Sequence, residues 1–144
     1  MKVTIEEGHR DVEAIIRCFE ETDEIRGIAS LLQSSGKKLT GTKDGKTFLI
    51  ERRDVLYFET VDKRCFIYTA GDVYETSLRL FEIEELLAEY NFIRISKSQI
   101  ANIMKIVSLC PEFGSRIEAV LQNGEKLIVS RQYSKSFKER IGLK

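Results

Sequence analysis

Asn123-Gly124, set between the runs Arg116–Leu121 and Lys126–Ser130, restricts the fold more than any other feature of the chain. An Asn-Gly pair accepts the positive φ angles of a two-residue type I′ turn, whose twist matches that of the antiparallel strands it joins. Asp44-Gly45, inside Lys43–Lys46, is a second turn of this kind and leads into a strand over Thr47–Glu51. Arg52-Arg53-Asp54 then turns the chain into a strand over Val55–Thr60, and Ala70-Gly71-Asp72 separates strands over Arg64–Thr69 and Val73–Thr76. Ile106–Cys110 reads as a further strand, closed by Pro111, the single proline. So many short strands punctuated by turn residues predict a mainly β domain of short antiparallel sheets.

Two stretches inside this β-rich part change to helical period. From Leu78 to Tyr90, Leu80, Phe81, Ile83, Leu86 and Leu87 are apolar, while Glu82, Glu84, Glu85 and Glu89 fall outside. Over Tyr133–Ile141 the apolar Tyr133, Phe137 and Ile141 recur every four residues, with Lys135, Lys138 and Arg140 outside. The first is an embedded helix and the second a C-terminal one. Ahead of them lies a different region. Residues 2–6 and Asp11–Phe19 alternate like strands around Gly8-His9-Arg10, and Ile25, Ile28, Ala29 and Leu32 then fall at helical spacing behind Thr22, Asp23 and Glu24. Thr22 is a good cap and the two acids favour a helix start. Ser34-Ser35-Gly36-Lys37-Lys38 reads as a linker. The expected organisation is therefore α+β overall: a small acidic ββα extension over 1–36 and a β-rich domain over 37–144.

The formal net charge is zero over 144 residues, which by itself argues against a nucleic-acid partner. Its distribution argues the other way. Residues 1–35 hold four Lys/Arg against eight Asp/Glu, a net −4; residues 91–144 hold ten against four, a net +6. Such segregation suggests an acidic extension and a basic working end. Cys18, Cys65 and Cys110 are odd in number and widely spaced, and His9 is the single histidine, so neither a disulfide framework nor a Cys/His zinc site is expected. Reduced thiols, no apolar run of membrane-spanning length and no signal-peptide pattern at the N-terminus lead to an expectation of a cytoplasmic protein. No paired acid–base constellation or glycine-rich phosphate loop is present, so neither an enzyme, a cofactor nor a small-molecule substrate is expected.

The stretch Phe92–Ile106, FIRISKSQIANIMKI, joins the β pattern to possible chemistry. Phe92, Arg94 and Ser96 alternate with Ile93 and Ile95, and the run Ile100, Ala101, Ile103, Met104 can anchor the segment in a core. Ser96-Lys97-Ser98 then falls at a turn, with one cation and two hydroxyls able to face a polyanion. The same three residues also suit an ordinary solvated turn.

The order of elements is similar to that of the LytTR (LytTR/AlgR-type) bacterial DNA-binding domain. The motifs that carry the resemblance are Asp54–Glu59 (DVLYFE), Phe92–Asn102 (FIRISKSQIAN) and Asn123–Tyr133 (NGEKLIVSRQY), within a match over roughly residues 37–143. The resemblance implies a β-sheet DNA-binding fold that inserts loops, not a recognition helix, into the major groove. It implies that Lys97 and Arg131 reach base edges. A third base-reading position falls at Arg64 or Cys65, where other members carry histidine. The resemblance points to Lys63, Ser96, Ser98, Asn102, Ser130 and Lys135 as the phosphate-contacting set, although Asn102 could instead bond backbone in its own turn. Arg94 could pair with a glutamate or with a phosphate, and Lys105 and Arg116 could face DNA or solvent. Tyr57, Phe58, Phe92 and Tyr133 are read as core. The family often joins this domain to a phospho-receiver, for which residues 1–35 are too few, so a standalone regulator is expected. Double-stranded DNA is the expected partner, with self-association as a homodimer through the extension and control by a membrane-protein regulator or by expression level. The competing reading is a protein-interaction module of the same fold without DNA binding.

Overall fold

The computed structural model describes residues 1–34 and 39–143. The chain divides into two compact units, Met1–Lys38 and Leu39–Lys144. Of the expected linker, residues 35–38 lie outside the described residues.

In the first unit one helix forms, α1 (Asp23–Ser34). It starts where the sequence puts its cap: the Ile25 N–H donates to Thr22 Oγ1 at 3.3 Å, and Asp23 and Glu24 occupy the first turn. The two strands expected over residues 2–6 and 11–19 do not form. Val3 and Ile5, and Val12 and Ile16, keep the even spacing of one strand face, yet all are exposed. Alternation supplies a face but no ladder partner, and an unpaired two-stranded ribbon is marginal in water.

Among the described residues the second unit holds ten strands and two α-helices. The hairpin β1 (Leu39–Lys43) and β2 (Lys46–Ile50) turns at Asp44 and Gly45, with φ of 52° and 75°, the left-handed pair that the Asp-Gly sequence favours. A single 3₁₀ turn, Arg52–Asp54, leads into β3 (Val55–Val61). Then follow β4 (Arg64–Thr69), β5 (Val73–Thr76) and α2 (Leu80–Leu86). β6 (Phe92–Arg94) and β7 (Gln99–Asn102) complete a seven-stranded antiparallel sheet in the order β2-β1-β5-β4-β3-β7-β6. β8 (Ile106–Glu112), β9 (Arg116–Leu121) and β10 (Lys126–Val129) form a second sheet, and α3 (Arg131–Ile141) ends the fold.

The large sheet is covered on both faces. On one, Val55, Phe58, Cys65, Ile67, Phe92 and Ile100 pack with Leu80, Ile83 and Leu87 of the α2 region. On the other, Leu56, Tyr57, Ile95 and Ala101 pack with Ile117, Leu121, Leu127 and Val129 of the small sheet and with Phe137 of α3. Leu56 and Tyr57 are neighbours in sequence and still face the same core. The β3–β4 register slips between Val55 and Tyr57, and this bulge restores alternation one residue late.

Pro111 does not close its strand: β8 runs on to Glu112, with Pro111 paired in register to Ile117. β8 is the edge of the small sheet, where a proline lacking an N–H breaks no ladder bond. The helix expected to reach Tyr90 stops at Leu86, and the chain tightens into turns in which Tyr90 N–H donates to Leu87 O. There Tyr90 takes the Arg52 guanidinium over its ring at 3.6 Å and accepts from Arg140 Nη2 at 2.6 Å. These contacts hold the residue away from a helical path. Among the described residues no helix is long and apolar enough to cross a membrane.

Candidate nucleic-acid interface

Three loops meet at the end of the second unit where β3 finishes. The first is the tip of the β3–β4 hairpin, Asp62-Lys63, whose φ angles of 51° and 66° form a tight two-residue turn without glycine. Lys63 is exposed there. The second is the β6–β7 turn. Ile95 N–H and Ser96 N–H both donate to Gln99 O, at 3.0 and 3.4 Å, and Ser98 N–H donates to Ser96 Oγ at 3.2 Å. This leaves Lys97 and Ser98 exposed at the apex. The third is the junction of β10 with α3, where Ser130 occupies the N-cap position and Arg131 is the first helical residue.

Two main-chain hydrogen bonds tie these loops together. Thr60 N–H donates to Ser98 O at 2.9 Å, joining the β6–β7 turn to the end of β3. Ser130 N–H donates to Ile95 O at 2.8 Å, joining the same turn to the start of α3. Lys97 therefore stands between Lys63 and Arg131. Lys135 lies one helical turn beyond Arg131 on the same side of α3. The side-chain nitrogens of Lys63, Lys97, Arg131 and Lys135 have no ion-pair partner among the described residues. The first N–H groups of α3 also emerge here, a further feature that favours an anion.

Of the acids near these loops, Asp62 is exposed beside Lys63 with no ion-pair partner among the described residues, whereas Glu59 and Glu75 are engaged. Glu59 accepts from Tyr68 Oη at 3.1 Å and from Gln99 Nε2 at 2.6 Å. Tyr68 stacks on Tyr57 with ring centroids 4.3 Å apart, and Tyr57 Oη donates to Glu125 Oε2 at 2.8 Å. Burial and these carboxylates push both phenol pKa values upward, so they remain protonated donors. Glu75 takes the Arg64 guanidinium in a fork, at 2.8 Å from Nε and 2.7 Å from Nη2. That pairing holds the Glu75 carboxyl below its ordinary range.

The expected site residues separate accordingly. Lys97, Arg131, Lys63, Ser96, Ser98, Ser130 and Lys135 fall on the three tied loops or on the first turns of α3. Cys65 does not qualify as a base reader. It is 5% exposed, within the core beneath α2, and burial raises its thiol pKa. Arg64 points to the solvent side of the same strand, but Glu75 occupies its fork. Asn102 is corrected as well. It is 3% exposed, donates from Nδ2 to Val55 O at 2.8 Å and accepts at Oδ1 from Met104 N–H at 3.0 Å. Both bonds go to backbone, the alternative that the sequence had offered, and they stitch β7 to the start of β3. Tyr57, Phe58 and Phe92 are core, as read. Lys105 lies at the opposite end, lining an open cavity of about 700 Å³ with Asn123, Leu56 and Tyr74.

Arg94 has a role that the sequence did not disclose. Its Nε donates to Ser96 O at 2.8 Å and its Nη2 to Lys97 O at 2.6 Å, with Glu84 Oε1 3.9 Å from Nη1. The partners weighed from sequence were a glutamate and a phosphate. The glutamate is met, as a loose ion pair with Glu84, but the short contacts go to carbonyl oxygens, which leave no trace in residue identity.

The family model of the LytTr DNA-binding domain matches residues 45–142. A solved LytTr DNA-binding domain from Bacillus cereus superposes with a TM-score of 0.72 at 28% identity, covering 75% of this chain and 100% of that one. An HTH-type transcriptional regulator of Staphylococcus aureus (strain NCTC 8325 / PS 47) is 32% identical over 123 residues, 84% of this chain and 83% of its own length. The sensory transduction protein LytT of Enterococcus faecalis (strain ATCC 700802 / V583) is 32% identical over 100 residues, 69% of this chain and 41% of its own. The Staphylococcus name refers to a helix-turn-helix, whereas strands separate each helix from the next among the described residues here. Fold, motif positions and the family match agree: the chain belongs to the LytTr DNA-binding domain family.

Proposed function

We propose that this chain is a transcriptional regulator that reads specific duplex DNA by placing the three tied loops in the major groove. The observation that carries the reading is the pair of main-chain bonds, Thr60 to Ser98 and Ser130 to Ile95, which gathers Lys63, Lys97 and Arg131 at one end. In this reading Arg131 and Lys97 reach base edges. The planar fork of Arg131 suits guanine O6 and N7, while Lys97 acts as a point charge. Lys63, Lys135 and the hydroxyls of Ser96, Ser98 and Ser130 take phosphates, fixing register without reading sequence. Arg64 joins them only by leaving Glu75.

Two further parts of the proposal concern partners. Paired half-sites suit a homodimer, and the exposed apolar side chains of Met1–Lys38 are the segment we assign to self-association. Its regulation through a membrane protein, in the cytoplasm, belongs to the same proposal.

The decisive experiment is selection of duplexes by the wild-type protein from a randomised pool, followed by titration of the enriched duplex and of a shuffled duplex across salt concentrations. A distinct enriched sequence and a steep fall of affinity with salt are expected, because phosphate neutralisation releases counterions whatever the global charge. A flat dependence on salt, or no enrichment, would overturn the reading.

A further inference from the structure

We infer that Arg94 is a positioning residue that sets the sequence selectivity of Lys97 without itself touching DNA. The inference rests on the proposed base-reading role of Lys97 and deepens it. An exposed lysine at the apex of a short turn is a poor discriminator by itself. Its ammonium is a point charge on a flexible stem, and any wandering of the turn's backbone adds to that freedom. Selectivity then requires that the peptide units carrying the lysine be held still.

The Arg94 side chain does this from the strand before the turn. Its guanidinium spans two successive carbonyl oxygens, Ser96 O at 2.8 Å from Nε and Lys97 O at 2.6 Å from Nη2. The two peptide units that flank the Lys97 α-carbon are the one that begins at Ser96 C=O and the one that begins at Lys97 C=O. Both are therefore tied to one rigid plane. Three facts separate this from an ordinary surface arginine. Its side chain is 19% exposed, while the partnered Arg64 and Arg53 are 63% and 82% exposed. Its nearest acid, Glu84, stands at 3.9 Å and outside hydrogen-bonding range, so the carbonyls are its principal partners. And the turn it holds is the one bonded to both neighbouring loops, through Ser98 O and Ile95 O. The charge of Arg94 is thereby turned inward, on the carbonyl side, leaving the Lys97 ammonium as the cation the turn presents to a polyanion.

Fork geometry matters. A lysine in the same place can donate to one carbonyl strongly or to two poorly, because it lacks two parallel N–H vectors. This makes Arg94→Lys the informative variant. It keeps the charge and the aliphatic stem, so it is expected to fold even if Arg94→Ala does not.

The test uses the full chain with two probes: a duplex enriched by the wild type from a randomised pool and a shuffled duplex of equal length and composition. Each is titrated by fluorescence anisotropy at several salt concentrations, with thermal melting of the free proteins alongside. For Arg94→Lys, the ratio of enriched to shuffled affinity should fall roughly threefold, and for Arg94→Ala roughly five- to tenfold, the lower part of what one base contact carries. The salt slope should keep its wild-type value, since no phosphate contact is lost. A ratio that stays at the wild-type value in both variants overturns the inference and leaves Arg94 as scaffold. A salt slope shallower by about one unit, with both probes weakened alike, also overturns it, because it makes Arg94 a phosphate ligand. Lys97→Ala in the same assay separates this inference from the reading beneath it. If Lys97→Ala lowers the ratio and the Arg94 variants do not, only the positioning role fails. If Lys97→Ala leaves the ratio intact, the base-reading assignment fails and the Arg94 role with it.

Discussion

Lys43 of β1 and Arg64 of β4 each stand against an acid, Asp72 and Glu75, and the pairing raises the pKa of each cation and lowers that of its carboxylate. Lys63 follows β3 by two residues and precedes Arg64 by one, yet it and Lys97, Arg131 and Lys135 have no such acid among the described residues. Residue for residue, the two groups carry the same single positive charge. They differ in what a phosphate would gain from them. A paired cation must first give up its carboxylate, whereas an unpaired one exchanges only water and mobile ions. A binding face is marked by the charges the fold leaves uncompensated, and this explains how a chain of zero net charge can present one.

Substitutions can break or sharpen that contrast. Arg131→Ala should have the largest effect, costing ~1–3 kcal/mol on a wild-type-enriched duplex and much less on shuffled DNA, as read by anisotropy. Lys97→Ala should act in the same direction at the low end of that range, about 1 kcal/mol, because the ammonium lacks a fork. Lys135→Ala should weaken both duplexes about equally and make the salt slope shallower by roughly one unit. Glu75→Gln tests the paired side directly. Removing the carboxylate releases Arg64, so shuffled-DNA affinity should rise and the slope should steepen by up to about one unit; no change would mean that Arg64 cannot reach a phosphate even when free. Lys43→Ala should be the smallest, with neither affinity nor slope altered, and a clear loss of affinity there would erase the distinction between the two groups of cations.

Much of the β domain was legible in the residues, and the failures have physical causes. Turn chemistry located the Asp44-Gly45 and Asn123-Gly124 hairpins, although the second is a four-residue connection over 122–125 in which Gly124 takes a positive φ and Asn123 does not. β4, β5 and β9 begin and end where the alternation and turns put them. What alternation could not decide was the side of β4 on which Cys65 falls. The strand reads RCFIYT, apolar on both faces, because the sheet is covered on both by α2 and by the small sheet. A half-solvated strand would have shown its buried side by polarity; a doubly covered one does not. Asn102 and Arg94 were obscure for another reason. Their partners are peptide carbonyls and an N–H, present at every position and specified by none. Over residues 2–19 the opposite error arose, since two strand-like stretches were present and no ladder formed between them. For the site, the family motif placed Lys97 and Arg131 on loops that the fold does bring together, and it placed Cys65 where the fold buries it.

The bonds that gather those loops, Thr60 to Ser98 and Ser130 to Ile95, run from peptide to peptide. No side-chain replacement at 63, 97, 98 or 131 deletes a donor or an acceptor from them, provided that proline is avoided where an N–H is in use. The frame and the lettering it displays can therefore vary independently. A pool in which only the apex side chains are randomised should remain folded almost throughout while its members prefer different operators, so that a family built on this scaffold can diversify its targets without rebuilding its core.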